Sequence, residues 1–180
     1  MIVERWLKQR VSWRSGWISF MIIGWVLLST PVWAASSTPG HLPGFPLVVM
    51  HIEGTSMAPT ITNGQAVWVQ FERAHYSYHD NQIVIFASPV IPRQYWVKRI
   101  LATAGQTIAV RANQVFINGK VVEEPFVRYP QSVNIPTTYI PKGYVWVEGD
   151  NRPRSYDSRL FGLLPSENIV GLVFVHRPPS

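Results

Sequence analysis

A chain of 180 residues, 47% hydrophobic and only 14% charged, has room for one domain and an appendage, and it is neither disordered nor fibrous. The formal net charge is +6, but Arg5, Lys8, Arg10 and Arg14 against Glu4 place half of it in residues 1–15. No dense basic cluster follows, which argues against a nucleic-acid partner, and the absence of cysteine excludes disulfides, a thiol nucleophile and cysteine-ligated metal.

Behind the basic tail of residues 1–15, residues 16–35 ("GWISFMIIGWVLLSTPVWAA") contain no charge. About 20 apolar residues cross a bilayer as a helix. Trp13, Trp17, Trp25 and Trp33 include positions suited to an interfacial belt, and the basic flank predicts a cytoplasmic N-terminus with the remainder exported. A cleavable signal peptide is the rival reading: Val32 and Ala34 are small residues before a cut, and Pro31 ends the apolar run. Both readings export everything beyond residue 36. Residues 36–45 ("SSTPGHLPGF") form a linker rich in Pro, Gly and Ser, leaving 46–180 as the folded domain.

That domain reads as β. "PLVVMHI" (46–52), "QAVWVQF" (65–71), "NQIVIFA" (81–87), "QYWVKRI" (94–100) and "QTIAV" (106–110) are rich in branched and aromatic residues. "VFINGKVV" (115–122) places Asn118-Gly119 between apolar runs, a hairpin signal. "GYVWVEG" (143–149) and "NIVGLVFV" (168–175) complete the set. No stretch beyond residue 36 sustains a 3.6-residue apolar period, so the expected architecture is mainly antiparallel β, either two packed sheets or a partly closed barrel.

Three segments carry chemistry. In "EGTSMAPTI" (53–61) Ser56 sits in a turn just after a strand, where it is either a plain turn residue or a nucleophile. In "YWVKRI" Lys98 lies within an apolar strand. Alternation gives it the face of Trp96 and Ile100 and sends Arg99 to the other face, toward solvent. Burial disfavours an ammonium, and a neutral lysine can take a serine proton; the plain alternative is a lysine that snorkels to the surface. In "GDNRPRSYDSRLFG" (149–162), Asp157 can pair with Arg152 or Arg159, either in a polar loop or in one that packs beside Lys98 with Ser155 as orienting hydroxyl.

"GTSMAPTI", "VKRI" and "GDNRPRSYDSRLFG", in that order, resemble the nucleophile, lysine and C-terminal boxes of type I signal peptidases. "DNQIVIFASP", "VFINGKVVEEPFV" and "IPKGYVWVEGDNR" are lesser matches, and the N-terminal span fits as well. The resemblance implies Ser56 as nucleophile and Lys98 as general base, with the Ser56 N–H in the oxyanion hole and Ser155 orienting Lys98. It further implies an Asp157–Arg159 pair supporting the loop, Asp150 and Asn151 shaping it, and Met57 and Val97 at the small substrate pocket. The implied substrates are secretory preproteins cut after small residues. The implied address is a single-pass protein of a bacterial plasma membrane or an organelle membrane, with no cofactor, metal or nucleic acid. Departures are Gly54, where many members carry a serine whose hydroxyl joins the oxyanion hole, leaving Thr55 a candidate by position only; Gln106, usually Asp; and Pro153 and Arg154, commonly Asp and Asn.

Other readings stay open on the residues. A self-cleaving repressor uses a similar dyad but needs a DNA-binding domain where this chain has an apolar span. A specialised relative that matures pilins or conjugation proteins fits the same residues, since fold and dyad do not set substrate. A membrane-anchored β module that binds peptides without cutting needs the strands but neither Ser56 nor Lys98. His75, His79 and Asp80 have a zinc-like spacing without the helix that would converge them.

Overall fold

Strand β3 (Ile83–Ala87) is buried along nearly its whole length, with Ile83 and Ile85 in one apolar cluster and Val84 and Phe86 in another. A strand covered on both faces must lie inside a sheet that is itself covered on both faces, and that requirement organises the molecule. In the computed structural model, which describes residues 47–71, 76–130 and 133–176, β3 is the middle strand of a seven-stranded sheet. The sheet is antiparallel throughout, in the order β1 (Leu47–Ile52), β2 (Gln65–Phe71), β11 (Ile169–Phe174), β3, β4 (Tyr95–Ala102), β9 (Tyr144–Glu148) and β10 (Leu164–Pro165).

One face packs Val67, Val69, Ile83, Ile85, Val97 and Val173 against Met57 and Ile61 of the turn after β1. The other packs Val84, Phe86, Ile100, Val145, Val147 and Leu172, with Trp96 and Phe161 at its margin. Between β4 and β9 the chain makes a second sheet of four antiparallel strands: β5 (Thr107–Arg111), β6 (Gln114–Ile117), β7 (Lys120–Val122) and β8 (Ile135–Tyr139), in the order β7-β6-β5-β8. Leu101, Ala102 and Trp146 of the large sheet share a third cluster with Ile108, Val110 and Val115 of the small one.

The architecture is the two-sheet alternative, and every predicted strand is present within two residues of its expected ends. Asn118 and Gly119 turn the β6–β7 hairpin with φ of 50° and 76°, the left-handed pair that a two-residue hairpin uses. Strand β8 ("IPTTY") escapes a reading by apolar alternation; it is an edge strand, and an edge tolerates Pro136. The helix α1 (Ser158–Phe161) is a single turn, capped by Asp157, whose carboxylate accepts from the Arg159 N–H. The basic tail, the apolar span 16–35, the linker 36–45 and His75 lie outside the described residues. Among the described residues no helix is long and apolar enough to cross a membrane.

Candidate active site

The turn carrying Ser56 hangs from the end of β1. Met57 and Ile61 plunge into the first apolar cluster at 2% and 1% exposure, and the Ile61 N–H bonds the Met57 carbonyl at 2.9 Å. These two anchors hold the turn down and leave Ser56 half-buried between exposed Thr55 and the core. Gly54 has φ +107°, a conformation that L side chains rarely adopt, and its N–H bonds Asn63 Oδ1 at 2.7 Å. A serine at position 54 would be strained here.

Lys98 arrives from β4. Its Nζ donates to Ser56 Oγ at 2.8 Å and to the Val97 carbonyl at 3.0 Å, with the side chain 5% exposed. The Nζ lies 6.0 Å from the centre of the Trp96 ring, which meets Phe86, Tyr156 and Phe161 in a cluster of aromatic contacts. Burial in this apolar setting pushes the Lys98 pKa from 10.5 down to about 8. Asp157 opposes that fall, Arg159 adds to it, and Asp150 opposes it more weakly. A serine hydroxyl in contact with an amine poised near neutral pH can be deprotonated as it attacks a carbonyl.

The loop after β9 closes over the pair. Asp157 accepts from the Gly149 N–H at 3.0 Å and from Arg159 Nε and Nη2, both at 2.8 Å, so the expected Asp157–Arg159 pair is made and Arg152 is not its partner. The Ser155 Oγ is buried and has no hydrogen-bond partner among the described residues, and the second bond of the Lys98 amine goes to the Val97 carbonyl. The loop brings Ser155 against Gly149 instead. A Cβ on Gly149 would stand 2.3 Å from Ser155 Oγ and 2.5 Å from the Ser56 carbonyl oxygen, distances that backbone cannot accept without moving. Gly149→Ala is therefore expected to cost about 1–3 kcal/mol by overpacking and to displace Ser56. A urea midpoint and an activity measurement on the full chain would check both; an alanine variant with unchanged midpoint would contradict the close approach.

Arg99 also departs from its expected place in solvent. It is 8% exposed and clasps Asp150 in a two-pronged pair, Nε to Oδ1 at 2.9 Å and Nη2 to Oδ2 at 2.7 Å. Asp150 is fully buried and accepts a third bond from Thr60 Oγ1 at 2.5 Å. One carboxylate thus ties the lysine strand to the serine turn. Alternation places Arg99 correctly on the opposite face from Lys98, but that face is covered too.

Sequence reasoning missed a second cluster. Glu148, 1% exposed at the end of β9, accepts from Trp146 Nε1 at 2.8 Å. Its other oxygen lies 3.0 Å from Arg152 Nη1 and 3.5 Å from Arg159 Nε, neither aligned as a hydrogen bond. Burial outweighs these guanidinium groups and raises the Glu148 pKa to about 7. Arg152 also grips Glu124, which follows β7, and so joins the small sheet to the loop. The available signal was a lone acid in the apolar strand "YVWVE" directly before Gly149 and Asp150. Met57 and Val97, expected at the substrate pocket, share the first apolar cluster and are largely covered at 2% and 8% exposure. Asp80, of the histidine segment, accepts from Gln106 Nε2 at 2.8 Å.

A serine hydroxyl against a buried amine on an antiparallel β scaffold is an arrangement that suits a serine hydrolase. The sequence profile of the family described as "Signal peptidase, peptidase S26" matches residues 22–176, and the chain belongs to that family. It is 41% identical over 143 residues to thylakoidal processing peptidase 1, chloroplastic, of Arabidopsis thaliana, covering 72% of this chain and 42% of that one. It is 34% identical over 131 residues to probable signal peptidase I-1 of Synechocystis sp., covering 67% and 66%. With signal peptidase I V of Bacillus subtilis the identity is 35% over 137 residues, covering 68% and 80%. The matched segment is thus less than half the length of the Arabidopsis relative and four-fifths of the Bacillus one. A crystal structure of a signal peptidase I from Enterococcus faecalis V583 aligns with a TM-score of 0.49 at 26% identity, over 55% of this chain and 98% of that one.

Proposed function

We propose that the protein is a membrane-bound serine endopeptidase that removes N-terminal signal peptides from exported preproteins, using Ser56 as nucleophile and Lys98 as general base. The observation that carries this reading is the 2.8 Å contact between Ser56 Oγ and a buried Lys98 Nζ. The neutral amine, aimed by its bond to the Val97 carbonyl, takes the Ser56 proton as Oγ attacks the scissile carbonyl. The Ser56 N–H receives the oxyanion. The resulting ammonium then protonates the leaving amine, and a water attacks the acyl-enzyme with Lys98 again as base.

Recognition of an extended chain follows from the sheet edges. Among the described residues β1 is a terminal strand, and β9 pairs with β4 only from Arg99 onward, so Tyr95–Lys98 keeps an open edge. An extended preprotein segment adding there would use backbone bonds for affinity and pockets for alternate side chains. Met57 and Val97 would floor a shallow pocket suited to a small residue. The uncharged span 16–35 would anchor the enzyme beside its substrates, with the basic tail cytoplasmic. Mass-spectrometric mapping of a preprotein cut by the full chain in detergent tests the reading: cleavage after alanine, blocked when that alanine becomes phenylalanine, is expected. Failure to cut several preproteins with lipid present would turn the reading toward a binding module.

The amine also dictates the pH response. With a Lys98 pKa of about 8, kcat/KM is expected to fall roughly tenfold for each pH unit below 8 and to level off above it. A profile flat from pH 6 to 9 would exclude this lysine as the base.

A further inference from the structure

Asn151 is 7% exposed and reaches the serine turn twice. Its backbone N–H donates to the Ser56 carbonyl at 3.0 Å, and its side-chain Nδ2 donates to the Thr55 carbonyl, also at 3.0 Å. The Thr55 oxygen receives a second bond from the Ala58 N–H at 3.2 Å. Both peptide planes that flank Ser56 are therefore held by their oxygens. A trans peptide is planar, so its C=O and N–H point in opposite directions. Fixing the Thr55 oxygen toward Asn151 fixes the Ser56 N–H away from it, and that N–H donates to no acceptor among the described residues.

We infer that Asn151 is the positioning residue for the oxyanion donor, its carboxamide locking the Thr55–Ser56 peptide so that the Ser56 N–H stays aimed at the reacting carbonyl oxygen. The inference rests on the peptidase reading and goes beyond loop shaping. With Gly54 in place of a serine, no hydroxyl two residues before Ser56 can share the charge, so the direction of this one N–H weighs more. A bare peptide in a turn can rotate at little cost, and two donors on one carbonyl oxygen oppose that rotation.

The test uses the full chain in detergent with a fluorogenic signal-peptide substrate. Asn151→Ala deletes the carboxamide donor but keeps the backbone bond to Ser56; Asn151→Asp keeps the shape and turns an oxygen on the Thr55 oxygen. Both are assayed at a temperature where circular dichroism shows them folded. The expected result for both is a kcat about 10- to 100-fold lower and KM within about threefold; in Asn151→Ala, which adds no charge near the lysine, the acid limb of the pH profile stays unmoved. Affinity for a peptide aldehyde, which forms an oxyanion on Ser56, should fall in proportion to kcat. Unchanged kcat, a rise in KM alone, or, in Asn151→Ala, an acid limb that moves with the rate would overturn the assignment. So would failure of both variants to fold at any temperature, which would make Asn151 purely structural. A wild type that cuts nothing would instead remove the peptidase reading itself.

Discussion

Ser56→Ala and Lys98→Met are each expected to reduce signal-peptide cleavage by about 10⁴-fold or more, and the double variant to be little worse than either. On the proposed mechanism the two atoms form one unit: the hydroxyl is a weak nucleophile until the amine 2.8 Å away takes its proton. Non-additivity in the double variant is therefore the diagnostic. Losses that multiply would mean separate roles, and substantial cutting by either single variant would sink the dyad.

Lys98→Met carries a second expectation of opposite sign. The unfolded lysine titrates at 10.5 and the folded one at about 8, so the unfolded chain binds more protons between those values. Stability therefore rises with pH across that window and is lowest, as far as this group is concerned, below about 8. Removing the amine removes a cost on the order of 3 kcal/mol at neutral pH. An inactive Lys98→Met that unfolds later than wild type at pH 7, with the advantage shrinking toward pH 10.5, is the expected outcome of denaturation at several pH values. A variant less stable at pH 7 would show that the lysine is structural in the folded state.

Asp150→Ala should destabilise the fold by about 3–5 kcal/mol, because it strands the Arg99 guanidinium at 8% exposure without its carboxylate. For a chain of this size that is a fall of about 6–20 °C in the unfolding midpoint. Activity should drop further than stability explains at any temperature where the variant remains folded, since Thr60 and the strand bearing Lys98 lose their shared tether. Arg99→Met tests the alternative: replacing one partner with an apolar side chain leaves Asp150 buried with Thr60 alone, and a comparable loss is expected. If Asp150→Ala unfolds with the wild type, the buried pair contributes nothing, and the tether between the serine turn and the lysine strand must lie elsewhere.

The amino-acid sequence by itself determined the strands other than β8 and β10, because short runs of branched and aromatic residues bounded by turn residues favour β, and it determined the hairpin, because Asn118-Gly119 suits the left-handed turn. It also placed Ser56 at the end of a strand and Lys98 among apolar neighbours, which local pattern can do. Only the tertiary structure decided that residues 42 positions apart meet at 2.8 Å, for that depends on β4 lying between β3 and β9 while the turn after β1 folds across the sheet. The same limit applies to Arg99 and Ser155. Alternation assigns Arg99 a face but cannot say what covers it, and the cover is Asp150 from 51 residues away. Ser155 lies in the right box, yet its hydroxyl direction depends on the packing against Gly149 and not on sequence spacing. Charge pairing and hydroxyl direction are non-local, set by which chain segments share a covered face, and that information exists only after folding.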